Sequence, residues 1–253
     1  MAQAQNQQQP SRSDERTLRV DMAAGFRWLD KLGMSDLAAG SLVARLPDEQ
    51  TWMLTHPHGQ YFDEIRASDC VKVNYQADVI DGSNHAVNFA AVNPAASVFR
   101  ARPDVNVIIH AHAPAVMAVS GLKCGLMLVS EPSFMFYKGL TYLHANFHFD
   151  DAYCETVART MGDGKAIIYK NHAFATVGKD VPEAMLRAYL LNQACEIQLR
   201  MLAAGKDINQ PTEAELHHHY DAFYGNPKYI YDGGLEWPGI LRRLEREDAS
   251  FRD

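Results

Sequence analysis

The sequence predicts an α/β protein. Three patterns carry that expectation: apolar residues at three- and four-residue spacing near the start, short apolar runs bounded by turns over 41–79, and a long helical stretch over 182–204. The chain has 253 residues, 47% of them hydrophobic and 22% charged, which suits one large domain or two small ones with a sizeable core. Its 24 Lys and Arg against 31 Asp and Glu leave a net charge of −7, and no basic run supplies the surface that nucleic acid requires. No apolar stretch is long enough to span a bilayer, so a membrane is not an expected partner either. The four cysteines, Cys70, Cys124, Cys154 and Cys195, are widely spaced with no Cys-x-x-Cys pair, which fits a reducing, cytoplasmic setting without disulfides.

Residues 1–14 read as a disordered polar tail, Gln-rich and without the apolar core of a signal peptide, and 15–253 as a single domain. Leu18, Met22, Phe26, Leu29 and Leu32 place an amphipathic helix over 16–32, ended by Gly33, with a short helix expected from Ser35. The runs 42–46, 51–55 and 70–75 read as strands of one antiparallel sheet. A helix over 93–102 is expected to carry Pro94 in its first turn, before Arg102-Pro103-Asp104 breaks it. The β-branched run 105–110 is a buried strand, 114–120 a helix, and 126–130 and 140–142 short strands. A helix over 152–161, capped by Asp150 or Asp151, turns through 162–164 into a strand over 166–169. In the long helix over 182–204, Met185, Ala188, Leu191, Cys195, Leu199 and Leu202 share a face, Asp180 caps the start and Gly205 ends it. The remainder is expected to be looser until a last amphipathic helix over 237–245.

Among 11 histidines, the chemistry concentrates in three. His110 and His112 stand two apart at the end of the 105–110 strand, so both imidazoles face one side. His172 follows the 166–169 strand directly, and two strand tips can bring all three together around one ion while leaving positions open for water or substrate. His56 and His58 also stand two apart, but Pro57 and Gly59 make theirs a turn, where a ligand can approach the backbone closely. His144 and His148 read as a site wall or as ordinary loop residues, and His217, His218 and His219 as solvated.

The stretch Ala101-Arg102-Pro103-Asp104-Val105 through His110-Ala111-His112-Ala113, followed by Met117-Ala118-Val119-Ser120, resembles the class II aldolase and adducin head-domain family, in its adducin-like bacterial branch. Asn171-His172-Ala173 with Val177-Gly178, Phe62-Asp63-Glu64-Ile65, and Trp237-Pro238 with Leu241-Arg242 extend the likeness over about residues 19–251. The resemblance implies a three-layer α/β/α sandwich with a central, mainly antiparallel sheet. It further implies a homotetramer with sites at subunit interfaces, and one divalent metal on His110, His112 and His172, zinc first, with iron or manganese as alternatives.

Two departures bear on activity. Family aldolases carry a Glu upstream of the Arg-Pro-Asp turn that ligates the metal or moves a proton, and its place falls near Ala91. The segment that usually cradles a sugar phosphate is here Ala39-Gly40-Ser41-Leu42-Val43, with no Lys cluster in its stead. The expected activity is therefore metal-dependent carbon–carbon cleavage, aldol-type or decarboxylating, of a small non-phosphorylated oxo or hydroxy acid or aromatic acid. The alternatives are a non-haem iron oxygenase acting on an aromatic acid with the same histidines, and a non-enzymatic adducin-like interaction module. Glu131 is the expected replacement acid, and Tyr137 and Tyr142 are the expected proton donors. His58, Gly59 and Phe134 are the expected substrate contacts, Phe134 as part of an aromatic wall.

Overall fold

The computed structural model describes residues 14–47, 49, 51–226 and 228–253. The polar tail expected over 1–14 thus lies outside the described residues except for Asp14, whose carboxylate accepts from Thr17 N at 2.7 Å and caps the first helix. Seven strands form one sheet: β1 (Ser41–Arg45), β2 (Trp52–Thr55), β3 (Val71–Asn74), β4 (Val107–Ala111), β5 (Leu140–His144), β6 (Ala166–Lys170) and β7 (Phe174–Gly178). Their order is β3-β2-β1-β4-β7-β6-β5. Every pairing is antiparallel except β5 with β6, so the mainly antiparallel expectation holds.

Eight α-helices accompany the sheet among the described residues: α1 (Glu15–Lys31), α2 (Phe89–Ala101), α3 (Pro114–Ser120), α4 (Glu131–Phe134), α5 (Asp151–Met161), α6 (Val181–Ala203), α7 (Glu213–His219) and α8 (Trp237–Glu247). The two-residue period of β4 sorts them into layers. Val107, Ile109 and Ala111 pack with residues of α1, α3, α6 and α8, while Ile108 joins the other core with α2 and α5. The result is the α/β/α sandwich that the family resemblance implies. The Arg-Pro-Asp turn locks the second core: the Arg102 guanidinium pairs with Asp104 at 2.7 Å and donates to the Gly164 carbonyl at 3.2 Å, tying the end of α2 to the turn before β6.

Several local expectations are corrected. The run 126–130 is not a strand, because its backbone finds side chains instead of a ladder: Leu126 N donates to the Tyr142 hydroxyl at 2.8 Å and Met127 N to Gln198 Oε1 at 2.7 Å. No helix starts at Ser35, whose hydroxyl bonds Asp30 at 2.6 Å; Leu37 adopts a left-handed φ of 51° inside an Asp36–Ala39 bridge. α2 begins before Pro94, at Phe89, because the Asn88 side chain accepts from Ala90 N at 3.0 Å and sets the start there. The segment expected to be loose contains α7, started by a Thr212–Glu215 capping box, and a wider π-type turn over Tyr220–Tyr224.

Candidate metal centre

β4 delivers His110 to the α2/α5 side of the sheet. Its neighbours across the ladders are small, Ser41 on β1 and Ala175 on β7, so the ring has room between them. Gly40 makes the approach close: at φ +101°, any Cβ there would lie 3.0 Å from the His110 carbonyl. His112 sits in the turn between β4 and α3. His172 is placed by a tight turn between β6 and β7, in which Asn171 takes a left-handed φ of 58° and His172 N bonds the Tyr169 carbonyl at 3.0 Å.

The three rings converge. One ligand nitrogen from each of His110, His112 and His172 lies within 4.8 Å of the others. Burial, reinforced by His112 and His172, pushes His110 down to about 3, against the opposing hydrogen bond with the Phe174 backbone. Burial lowers His112 as well, with Asp36 opposing it, and burial with His112 lowers His172. All three are therefore neutral imidazoles at neutral pH, the protonation state that ligates metals. Asp36 approaches His112 Nδ1 only to 3.4 Å, and neither buried nitrogen of His112 has a close hydrogen-bond partner among the described residues. Orphaned buried nitrogens beside two other neutral imidazoles fit a divalent ion, because no other described residue satisfies them.

The centre opens on a cavity of about 420 Å³ between the sheet and α2/α5. Among the expected substrate contacts, His58 lines it. Gly59 is not on its wall, and neither are Phe134, Glu131, Tyr137 and Tyr142. Tyr142 pairs with Ile168 in the ladder and so lies on the opposite face of the sheet, where its hydroxyl accepts from Leu126 N. Glu131, Phe134 and Tyr137 instead seat the arm that follows α6. The Tyr224 hydroxyl donates to Glu131 Oε1 at 2.6 Å, Phe134 stacks on His219 at 5.1 Å, and the Tyr137 hydroxyl donates to Glu213.

His56 turns away from the cavity into a nest of Phe26 and Phe62, and burial drives it down to about 4. His144 and His148 stay off the cavity wall, whereas their neighbours Ala145, Asn146, Phe147 and Phe149 line it. Sequence reasoning missed Phe147, which is 67% exposed yet packs edge-on to His172 at 5.1 Å. The available signal was an aromatic set in the polar stretch His144-Ala145-Asn146-Phe147-His148.

The sequence matches the model of the Class II Aldolase and Adducin N-terminal domain over residues 20–199. The chain belongs to that family. It is 31% identical over 238 residues to a Caulobacter vibrioides protein that carries a provisional aldolase class 2 name, covering 93% of this chain and 91% of that one. It is 35% identical over 193 residues to alpha-adducin of Rattus norvegicus, covering 75% of this chain but only 26% of the adducin. Among solved structures, an aldolase II superfamily protein from Pseudomonas syringae superposes with a TM-score of 0.86 at 27% identity over 98% of both chains. The L-fuculose 1-phosphate aldolase of Glaciozyma antarctica PI12 shares the fold, with a TM-score of 0.84 at 24% identity over 97% of both chains. α7, the π-type turn and α8 lie beyond the residues matched to the family. Among the described residues, no helix is long and apolar enough to cross a membrane.

Proposed function

We propose that this family member is a divalent-metal-dependent lyase that cleaves a carbon–carbon bond, by retro-aldol reaction or decarboxylation, in a small non-phosphorylated oxo or hydroxy acid or aromatic acid. The carrying observation is the convergence of three neutral imidazoles on a cavity with no Lys, Arg, Asp or Glu among its described lining residues. A divalent ion, zinc first and iron or manganese as alternatives, would supply electrostatic stabilisation of the charge that develops as the bond breaks.

The chain's own residues set the rest. His110, His112 and His172 would hold the ion, with the Asp36 carboxylate 3.4 Å from His112 Nδ1. His58, next to Gly59 in its turn, orients the substrate's polar groups at the rim. Ala91 lines the cavity where the family resemblance puts a proton-moving Glu, so the proton has to be moved from elsewhere. Glu131 and Tyr137 take that role in a homotetramer that brings the α4 surface of one subunit to the cavity of the next, with Phe134 beside them. Tyr142, committed to Leu126, stays structural.

Two observations favour second readings. The donor set is three neutral imidazoles without a carboxylate, which suits a ferrous oxygenase. The identity to alpha-adducin suits a non-enzymatic interaction module. Elemental analysis of purified wild type and His110→Ala, followed by anaerobic assays on oxo and hydroxy acids, separates the three. The lyase reading expects stoichiometric metal in the wild type, its loss in His110→Ala, and turnover without dioxygen. Metal-free wild type supports the interaction module, and strict dependence on ferrous iron and dioxygen supports the oxygenase.

A further inference from the structure

We propose that the substrate carries an uncharged aryl or branched-alkyl group, and that this group occupies the inner chamber of the cavity while the polar head lies at the histidines. The proposal rests on reading the histidines as a substrate-facing metal centre.

The polar lining groups gather at one end of the cavity. The N-terminal ends of α2 and α5 and the C-terminal end of β4 bring Asn88, Asn146, His58 and the three histidines there, with Phe147 beside His172 at the mouth. Moving away from that rim, α2 presents Ala91, Ala95 and Val98, α5 presents Val157 and Met161, and β4 presents Ile108. From Ala91 to Val98 the helix rises about 10 Å, enough depth for a phenyl group beyond the head. Tyr169 stands where the two zones meet, edge-on to His110 at 5.6 Å.

Protein interiors fill apolar voids unless small side chains hold them open. Here Ala91, Ala95 and Ala175 do so on facing walls. The volume of about 420 Å³ falls in the range of small-molecule sites. A phosphate in the chamber would meet no cation, and a polyol chain would bury hydroxyls with few partners. An apolar tail loses nothing there and leaves water.

The test is titration of metal-loaded wild type with 3-phenylpropanoate and propanoate, alongside toluene as a headless probe of wild type and His110→Ala. The phenyl acid should bind at least about tenfold more tightly than propanoate. Val157→Phe should abolish that preference while leaving metal content and propanoate affinity unchanged, and Ala95→Leu serves as an independent second filling should the first variant not fold. Toluene should enter wild type and His110→Ala alike and be blocked by either filling. Equal affinities for the two acids overturn the proposal, whatever toluene does. If neither acid binds while toluene still enters, the chamber stands and it is the reading of the metal centre that fails.

Discussion

Asp21 shows how burial sets ionisation in this fold and gives a stability test of known sign. α1 turns its carboxylate inward, where Oδ1 accepts from Trp237 Nε1 at 2.8 Å. Burial, with a smaller push from Asp180, raises the group from 3.8 to about 6, against the pull of Trp237 and Arg252. A folded value above the unfolded one means the native state holds the proton more tightly between those two pH values. Stability from this group is therefore complete below 3.8, falls as pH rises toward 6, and stays lost at neutral pH. At about 1.4 kcal/mol per tenfold change in proton affinity, keeping the ionised form folded costs up to about 3 kcal/mol, an upper figure because the carboxylate is partly accessible. Asp21→Asn keeps the acceptor for Trp237 and removes the charge. The variant should exceed wild type by about 2–3 kcal/mol at pH 7.5, seen as a melting temperature roughly 5–10 °C higher, and by only about 0.5 kcal/mol at pH 4. Melts at half-unit pH steps read the difference directly. Equal stability at pH 7.5, or a gain that does not shrink toward pH 4, would refute the reasoning.

Tyr142→Phe should lower stability by about 1–2 kcal/mol by stranding the Leu126 N–H, yet leave bound metal unchanged by elemental analysis. A drop in metal content would move Tyr142 back into the site. His56 acts with the opposite sign to Asp21: burial lowers it from 6.5 to about 4, so the unfolded chain takes up the proton first as pH falls through that window. Wild type should lose up to about 3 kcal/mol between pH 7 and 4 on this account, and His56→Met should flatten that limb in urea titrations.

What the sequence made legible follows from the range of the interactions involved. α6 could be read because its apolar face, the Asp180 cap and Gly205 are all local, and the helix runs from Val181 to Ala203. His110 and His112 could be paired because two-residue spacing fixes a strand face. β7 went unread, since its small residues lack a strong strand pattern and its pairing depends on β4 and β6. The 126–130 run looked like a strand because what satisfies its backbone, Gln198, sits 71 positions away from Met127. The bond from Tyr224 to Glu131 was hidden for the same reason, the two residues standing 93 positions apart. The cavity was hidden altogether. It arises from what α2, α5 and β7 leave unfilled, and no window of sequence contains all three.

That emptiness also decides how the protein should attract its substrate. The chain carries a net charge of −7, and its described cavity wall has no Lys or Arg to oppose that field. On the proposed reading, the only positive focus inside is the bound ion, held by three ligands that contribute no charge of their own. Such an ion keeps most of its charge for the substrate head, in surroundings where the electrostatic interaction is strong and mobile salt does not reach. The field over the outer surface, by contrast, would repel an acid and be screened by salt. Raising ionic strength from about 0.05 to 0.5 M should therefore weaken acid binding by less than about threefold, or strengthen it slightly, since the Debye length falls below the depth of the cavity. A tenfold loss of affinity in salt would instead require a cationic docking surface, contributed either by a neighbouring subunit or by residues beyond the cavity wall, and would overturn the assignment of the ion as the sole electrostatic anchor.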